Sequence, residues 1–253
     1  MNFDLSNLPK RAQNPRQNGL TMMMDKGLSL QEAENFIEQC APFTDLVKFG
    51  FGSSLITSKL QEKVKLYHDA GLKVYFGGTL LEAFIIRNKF DDYQKFIDKY
   101  KLETVEVSDG SISLPHQKKC EYISSLSKNY TVLSEVGSKE EGFMIAPGKW
   151  ISMMKAELQA GSWKVITEAR ESGTVGIYRP TGGAHVILIN RILKQISPEK
   201  ILWEAPQKSQ QVWFIKQLGA NVNLGNIAPH ELLALETLRL GLRGDTFHLF
   251  LKS

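Results

Sequence analysis

The stretch 104-TVEVSDGS-111 carries the first decision about the fold. Val105 and Val107 share one parity, and Thr104, Glu106 and Ser108 share the other, as on a β-strand. The valines suit burial under helices. Glu106 then faces the opposite way, and Asp109-Gly110 ends the strand just beyond it. A carboxylate one step from a strand end, beside a glycine turn, is where α/β folds place active-site acids. Half-exposed strands also carry Glu, so the weight comes from repetition along the chain.

Outward from this strand, the same unit recurs. Residues 1 to about 16 read as an arm with Pro9 and Pro15. Gly19 to Gly27, GLTMMMDKG, is the first strand, and Ser29 with Glu32 caps the first helix. Asp45 to Gly50 is the second strand, with a helix from about Thr57 to Ala70. Leu72 to Phe76 is the third, followed by a helical segment with Leu80, Glu82 and Phe84 and another over Asp91 to Tyr100. Pro115 opens the helix after strand four. Thr131 to Val136, Lys164 to Glu168, Lys200 to Trp203 and Asn221 to Leu224 are strands five to eight. Their helices cover about Gly148 to Ala160, His185 to Gln195, Gln207 to Leu218 and Pro229 to Leu240. Strand–helix alternation implies a parallel sheet. Eight units in 253 residues imply a single (β/α)8 TIM barrel, an α/β fold, taken as one domain over 1–253. No GxGxxG or GxxxxGK[ST] supports the open doubly wound alternative.

Composition agrees with a globular chain, 42% hydrophobic and 23% charged. The net charge of +4 is mild and its Lys and Arg are dispersed among acids, so no nucleic-acid partner is expected. No leader or membrane-length apolar run is read, which predicts a cytoplasmic protein with no membrane partner. Cys40 and Cys120 read as small packing residues of a reducing compartment.

Strand parity then assembles a polar ring. Asp25, Lys48, Tyr75, Glu106, Glu135, Glu168, Glu204 and Asn223 come one from each strand and are predicted to face the axis near the C-terminal ends. A barrel core is normally filled by branched apolar residues, and this many buried charges without a ligand would be costly. The five acids outnumber Lys48, even with Lys139 and Arg170 just past strands five and six. The excess calls for a cation, and an all-oxygen donor set with no histidine fits Mg²⁺ better than Zn²⁺. Gln207-Lys208, Gly225-Asn226 and Gly50 to Ser54 supply glycine backbone or charge suited to a phosphate.

Taken together, GLTMMMDKG, DLVKFGFGSS, YFGGTLLE, EVSDGSI, SEVGSK, EARESG, WEAPQKSQQVWFI, NVNLGNI and LRLGLRGDT resemble the phosphosulfolactate synthase family. The resemblance runs from about Arg16 to Thr246 and implies a Mg²⁺-dependent barrel that adds sulfite to phosphoenolpyruvate, giving (2R)-2-O-phospho-3-sulfolactate. On that chemistry Glu106, Glu135 and Glu168 hold or surround the metal. Lys139 is the expected general acid, with Lys48 as second candidate. Arg170, Lys208 and the Gly225-Asn226 backbone are expected to bind phosphate or sulfonate, with Arg16 and Arg243 as further anion contacts. Two alternatives stay open: a non-catalytic relative of the heat-stress-associated type, and a barrel enzyme acting on another phosphorylated carboxylate. The retained charges argue against decay of the site, because unpaired buried charges destabilise. The arm and the tail after Leu240 leave room for a homo-oligomer.

Overall fold

In a computed structural model that describes residues 3–137 and 145–251, eight parallel strands form a nearly closed barrel. They are β1 (Thr21–Asp25), β2 (Leu46–Phe49), β3 (Lys73–Phe76), β4 (Thr104–Val107), β5 (Thr131–Val136), β6 (Lys164–Thr167), β7 (Ile201–Glu204) and β8 (Leu224–Ile227). The helices between them are α1 (Leu30–Cys40), α2 (Leu60–Asp69), α3 (Gly78–Ile85), α4 (Phe90–Lys99), α5 (His116–Leu126), α6 (Pro147–Gln159), α7 (Val186–Leu193), α8 (Lys208–Leu218) and α9 (Leu232–Arg239). The ladder runs β3-β2-β1-β8-β7-β6-β5-β4, so the predicted (β/α)8 barrel is the observed fold. The ladder leaves β3 and β4 as its two ends, and they meet at a seam that carries no ladder.

Alternation along the strands divides the core in two. Leu20, Met22, Leu46, Tyr75, Leu133, Ile166 and Leu202 fill the axis. Met23, Val47, Phe49, Val74, Val105, Val107, Val132, Val165 and Trp203 face the helices and belong to the large outer cluster. Val105 and Val107 therefore point outward and Glu106 inward, as the opening stretch requires. The helix layer follows the same logic. Ser29 and Glu32 form the predicted capping box at α1, which buries Ala33, Phe36 and Cys40 at helical spacing.

Two members of the predicted ring are corrected by this parity. Met22 and Met24 take the inward positions of β1, so Asp25 turns toward the helices. There it accepts from Gly27 N–H (2.8 Å), Leu28 N–H (2.9 Å) and the Tyr67 hydroxyl (2.9 Å), and pairs with Lys63 Nζ at 2.7 Å. Asn223 precedes β8, which begins at Leu224 rather than ending there. Its amide holds the opposite end of the barrel, accepting from Leu20 N–H (3.1 Å) and donating to Ile201 O (3.0 Å).

The base of the barrel is closed by the arm, which from Arg11 onward docks on its own chain. Arg11 pairs with Glu236 at 2.8 Å and donates to Asn221 Oδ1 at 2.6 Å and Gly19 O at 3.1 Å. Arg16 is held by Asp45 at 2.9 Å and by Ala12 O and Phe43 O. Arg239, fully buried, donates to Ala220 O and Val222 O. Among the described residues no helix is long and apolar enough to cross a membrane.

The Asp25–Lys63 pair is the clearest buried charge pair between a strand end and a helix. Asp25→Asn leaves an ammonium buried without its counter-charge, which should cost about 3–5 kcal/mol in urea unfolding. Adding Lys63→Met to that variant is expected to recover part of the loss; no recovery would show that the pairing is not the source.

Candidate active site

The strand ends deliver charge by a repeated local pattern. In β2, β5 and β7, and across the end of β6, an inward apolar residue is followed two positions later by a charged one: Leu46 and Lys48, Leu133 and Glu135, Leu202 and Glu204, Ile166 and Glu168. Period-two geometry stacks each charge above its apolar partner, so the axis is apolar below and ionic at the mouth. A cleft of about 300 Å³ opens there, lined by Met24, Lys48, Gly50, Phe51, Gly77, Thr79, Ser111, Glu135, Glu168, Arg170, Glu171, Glu204 and Asn226.

Lys48 is the centre of this site. Its Nζ lies 2.8 Å from Glu106 Oε2, 3.5 Å from Glu135 Oε2 and 3.8 Å from Glu204 Oε1, and its side chain is 8% exposed. Burial alone would push the ammonium toward neutrality. Glu106, Glu135 and Glu204 outweigh that and hold Lys48 well above the usual lysine range. In the acids, burial is the larger influence and prevails. Burial raises Glu106, with Lys48 opposing and Glu135 reinforcing the rise. Burial likewise pushes Glu204 up to about 8, against Lys48 and with Glu135 and Glu106. The cage thus holds more carboxyl groups than one ammonium can keep ionised.

Backbone groups fix the carboxylates. Glu106 Oε1 accepts from Gly78 N–H at 2.6 Å, and Glu204 Oε2 from Ala169 N–H at 3.0 Å. Glu168 Oε1 accepts from Arg170 N–H at 2.6 Å. Arg170 has a left-handed backbone (φ 52°), and its carbonyl accepts from Asn226 Nδ2 at 3.2 Å. Asn226, within β8, is left-handed as well (φ 58°), and its contact with Arg170 ties the loop after β6 to β8 at the rim. Lys26 and Glu171 form an exposed ion pair across the same rim.

The structure brings Lys48, Glu106, Glu135, Glu168, Arg170 and Asn226 together at one mouth, and Glu204 with them. Glu106 has one oxygen on Gly78 N–H and the other beside Lys48 Nζ, so it braces the cage. Glu135 and Glu168 do line the cleft. Among the described residues no group of three or more His, Cys, Asp or Glu forms a protein-only metal cage. Carboxylates of this kind suit a hard cation that takes its remaining ligands from substrate and water.

Several predicted anion contacts lie elsewhere. Arg16 precedes β1 and therefore sits at the base, bound to Asp45. Lys208 is paired with Asp245 at 2.6 Å and does not line the cleft. Arg243 follows α9 and is also absent from the cleft wall. Gly225 faces inward against packed side chains: a Cβ there would lie 2.8 Å from Met22 Cε and 3.4 Å from Leu202 Cγ. Lys139 lies outside the described residues.

Other contributors escape a residue-by-residue reading of the sequence. Gly77 and Gly78 allow the cage to form, since a Cβ on Gly77 would lie 2.9 Å from Lys48 Cε and one on Gly78 2.9 Å from Glu106 Oε1. The Gly-Gly pair directly after β3 is the signal in the sequence. Glu82, read only as part of a helix, is buried and accepts from Ser108 Oγ and from Ser111 N–H.

Comparison with known proteins gives the chain relatives along nearly its whole length. The family model described as (2R)-phospho-3-sulfolactate synthase (ComA) matches residues 9–245. Phosphosulfolactate synthase of Methanocaldococcus jannaschii is 40% identical over 237 residues, 91% of this chain and 94% of that one. The phosphosulfolactate synthase of Bacillus subtilis is 38% identical over 245 residues, 96% of this chain and 97% of that one. Among solved structures, 3-hexulose-6-phosphate synthase from Salmonella typhimurium superposes with a TM-score of 0.58 at 11% identity, covering 88% of this chain and all of that one, which speaks to the barrel fold alone. With a charged barrel mouth and relatives of this identity along nearly its whole length, the chain belongs to the (2R)-phospho-3-sulfolactate synthase family of enzymes.

Proposed function

We propose that this protein adds sulfite to phosphoenolpyruvate, giving (2R)-2-O-phospho-3-sulfolactate. The observation that carries the reading is the buried Lys48 ammonium at the floor of a carboxylate-walled cleft. Sulfite is already nucleophilic, so no Ser, Cys or general base needs to be activated. Its sulfur attacks the methylene carbon and forms the C–S bond. The π electrons move through the adjacent carbon onto the substrate carboxylate, which becomes an aci-carboxylate. A proton added at that adjacent carbon from one face completes the product.

Charge decides which residue does what. Lys48, held well above the usual lysine range, keeps its proton at neutral pH. It therefore serves as a fixed positive charge for the developing aci-carboxylate rather than as the proton donor. That leaves Lys139 as the proposed general acid, an assignment that rests on the SEVGSK match. Arg170 and Asn226 at the rim are the proposed contacts for the phosphate or sulfonate. The wall is acidic while both substrates are anions, so a counter-cation is required. Mg²⁺ held by Glu135 and Glu168 would supply that neutralisation and act as a Lewis acid toward the substrate oxygens.

The first test is one assay of purified protein with phosphoenolpyruvate, sulfite and Mg²⁺, read by mass spectrometry. Product is expected, and it should vanish when sulfite is omitted or when the metal is chelated, then return with added Mg²⁺. Product formation that persists through exhaustive chelation would overturn the metal assignment. For Lys48→Met we expect kcat to fall by about 10²–10³ while circular dichroism still shows the fold. In Lys139→Ala, kcat should drop by about 10²–10⁴ with KM nearly unchanged; wild-type turnover would remove Lys139 from the mechanism.

A further inference from the structure

We infer that Glu82 is a positioning residue for this site, the latch that closes the unladdered β3–β4 seam above the cleft. Every other neighbouring pair of strands is joined by a backbone ladder, whereas β3 and β4 are the free ends of the hydrogen-bonded sheet. Barrel closure at that point falls to side chains. Two carboxylates cross the gap in opposite directions. Glu106, on β4, accepts from Gly78 N–H at the start of α3, at 2.6 Å. Glu82, on α3, accepts from the Ser108 hydroxyl with one oxygen and from Ser111 N–H (2.6 Å) with the other.

The crossed arrangement links the latch to the chemistry. Ser108 lies two residues beyond Glu106, one past the end of β4, and Ser111 is part of the cleft wall. Gly78 has no room for a side chain, since a Cβ would lie 2.7 Å from Ser108 Cβ and 2.9 Å from Glu106 Oε1. The start of α3 and the end of β4 are therefore in contact, and Glu82 holds them there. Glu106 in turn makes the shortest contact to Lys48, at 2.8 Å. Loosening Glu82 should let the β4 end move away from α3, release Glu106 from Gly78, and misplace the ammonium that Glu106 orients. Glu82 itself is buried and does not line the cleft, and it reaches the site through Ser108 and Ser111.

The catalytic part of this inference rests on the proposed sulfite addition, while the latch itself can be read without turnover. The experiment compares wild type, Glu82→Gln and Arg11→Ala by residue-resolved amide hydrogen exchange and by steady-state kinetics. A glutamine offers a single acceptor oxygen and turns an amide donor toward the other partner. In Glu82→Gln the Gly78 and Ser111 amides are expected to exchange at least about tenfold faster, beyond any change in global stability. The kcat should fall about ten- to a hundredfold, with a smaller change in KM. Arg11→Ala, at the far end of the barrel, should lower stability but keep both amides protected and kcat near wild type. Wild-type protection at Gly78 in Glu82→Gln would overturn the latch. Faster exchange with unchanged kcat would reduce Glu82 to a packing role. If wild type itself forms no product, the reaction fails while the exchange data still decide the latch. Should Glu82→Gln fail to fold, Ser108→Ala removes one bond to the same carboxylate and should also speed Gly78 exchange.

Discussion

One ammonium surrounded by carboxylates sets the terms for this molecule. Lys48 is buried at the top of the axial core, and a charge there is tolerated only with close partners. Glu106, Glu135 and Glu204 provide them and arrive from three other strands. The cage can exist only when those strands are in register and the barrel is closed. Conversely, the acids are tolerable at this density because Lys48 stands among them, and Glu204 still rises to about 8. Folding and electrostatics are therefore coupled at the mouth.

The two ends of the barrel solve opposite problems. At the base, Arg11, Arg16 and Arg239 are saturated by Glu236, Asp45 and backbone carbonyls, so their charge is spent on closing the fold. At the mouth, backbone N–H groups of Gly78, Ala169 and Arg170 orient carboxylates without neutralising them. The apolar layer of Met22, Leu46, Leu133, Ile166 and Leu202 separates the two ends.

The fold alone would not point to a reaction, since this barrel hosts many chemistries. The solved barrel neighbour at 11% identity illustrates that limit. What narrows the reading is the conjunction of the cage with relatives near 40% identity over almost the whole chain. A nucleophile that needs no activation suits a site whose described residues offer fixed charge at the cleft floor rather than a nucleophile–base pair.

The chain's pattern by itself determined the eight βα units, the parallel barrel and the inward face of β2, β4, β5, β6 and β7, because period-two alternation is a local property. Lys48, Glu106, Glu135, Glu168 and Glu204 could therefore be placed on one axis before any coordinates. Asp25 could not, because the alternation of the three preceding methionines has no polar member to mark the face, and only packing showed Met24 inward. Asn223 was misplaced because β8 begins three residues later than its apolar pattern suggests, which moved it from the mouth to the base. Arg16, Lys208 and Arg243 carry the right charge, but whether a cation is free or already paired depends on partners such as Asp45 and Asp245, 29 and 37 residues away. Glu82 was hidden for the same reason. The seam it latches exists only once the sheet has curled until β3 meets β4, and no local spacing records that meeting.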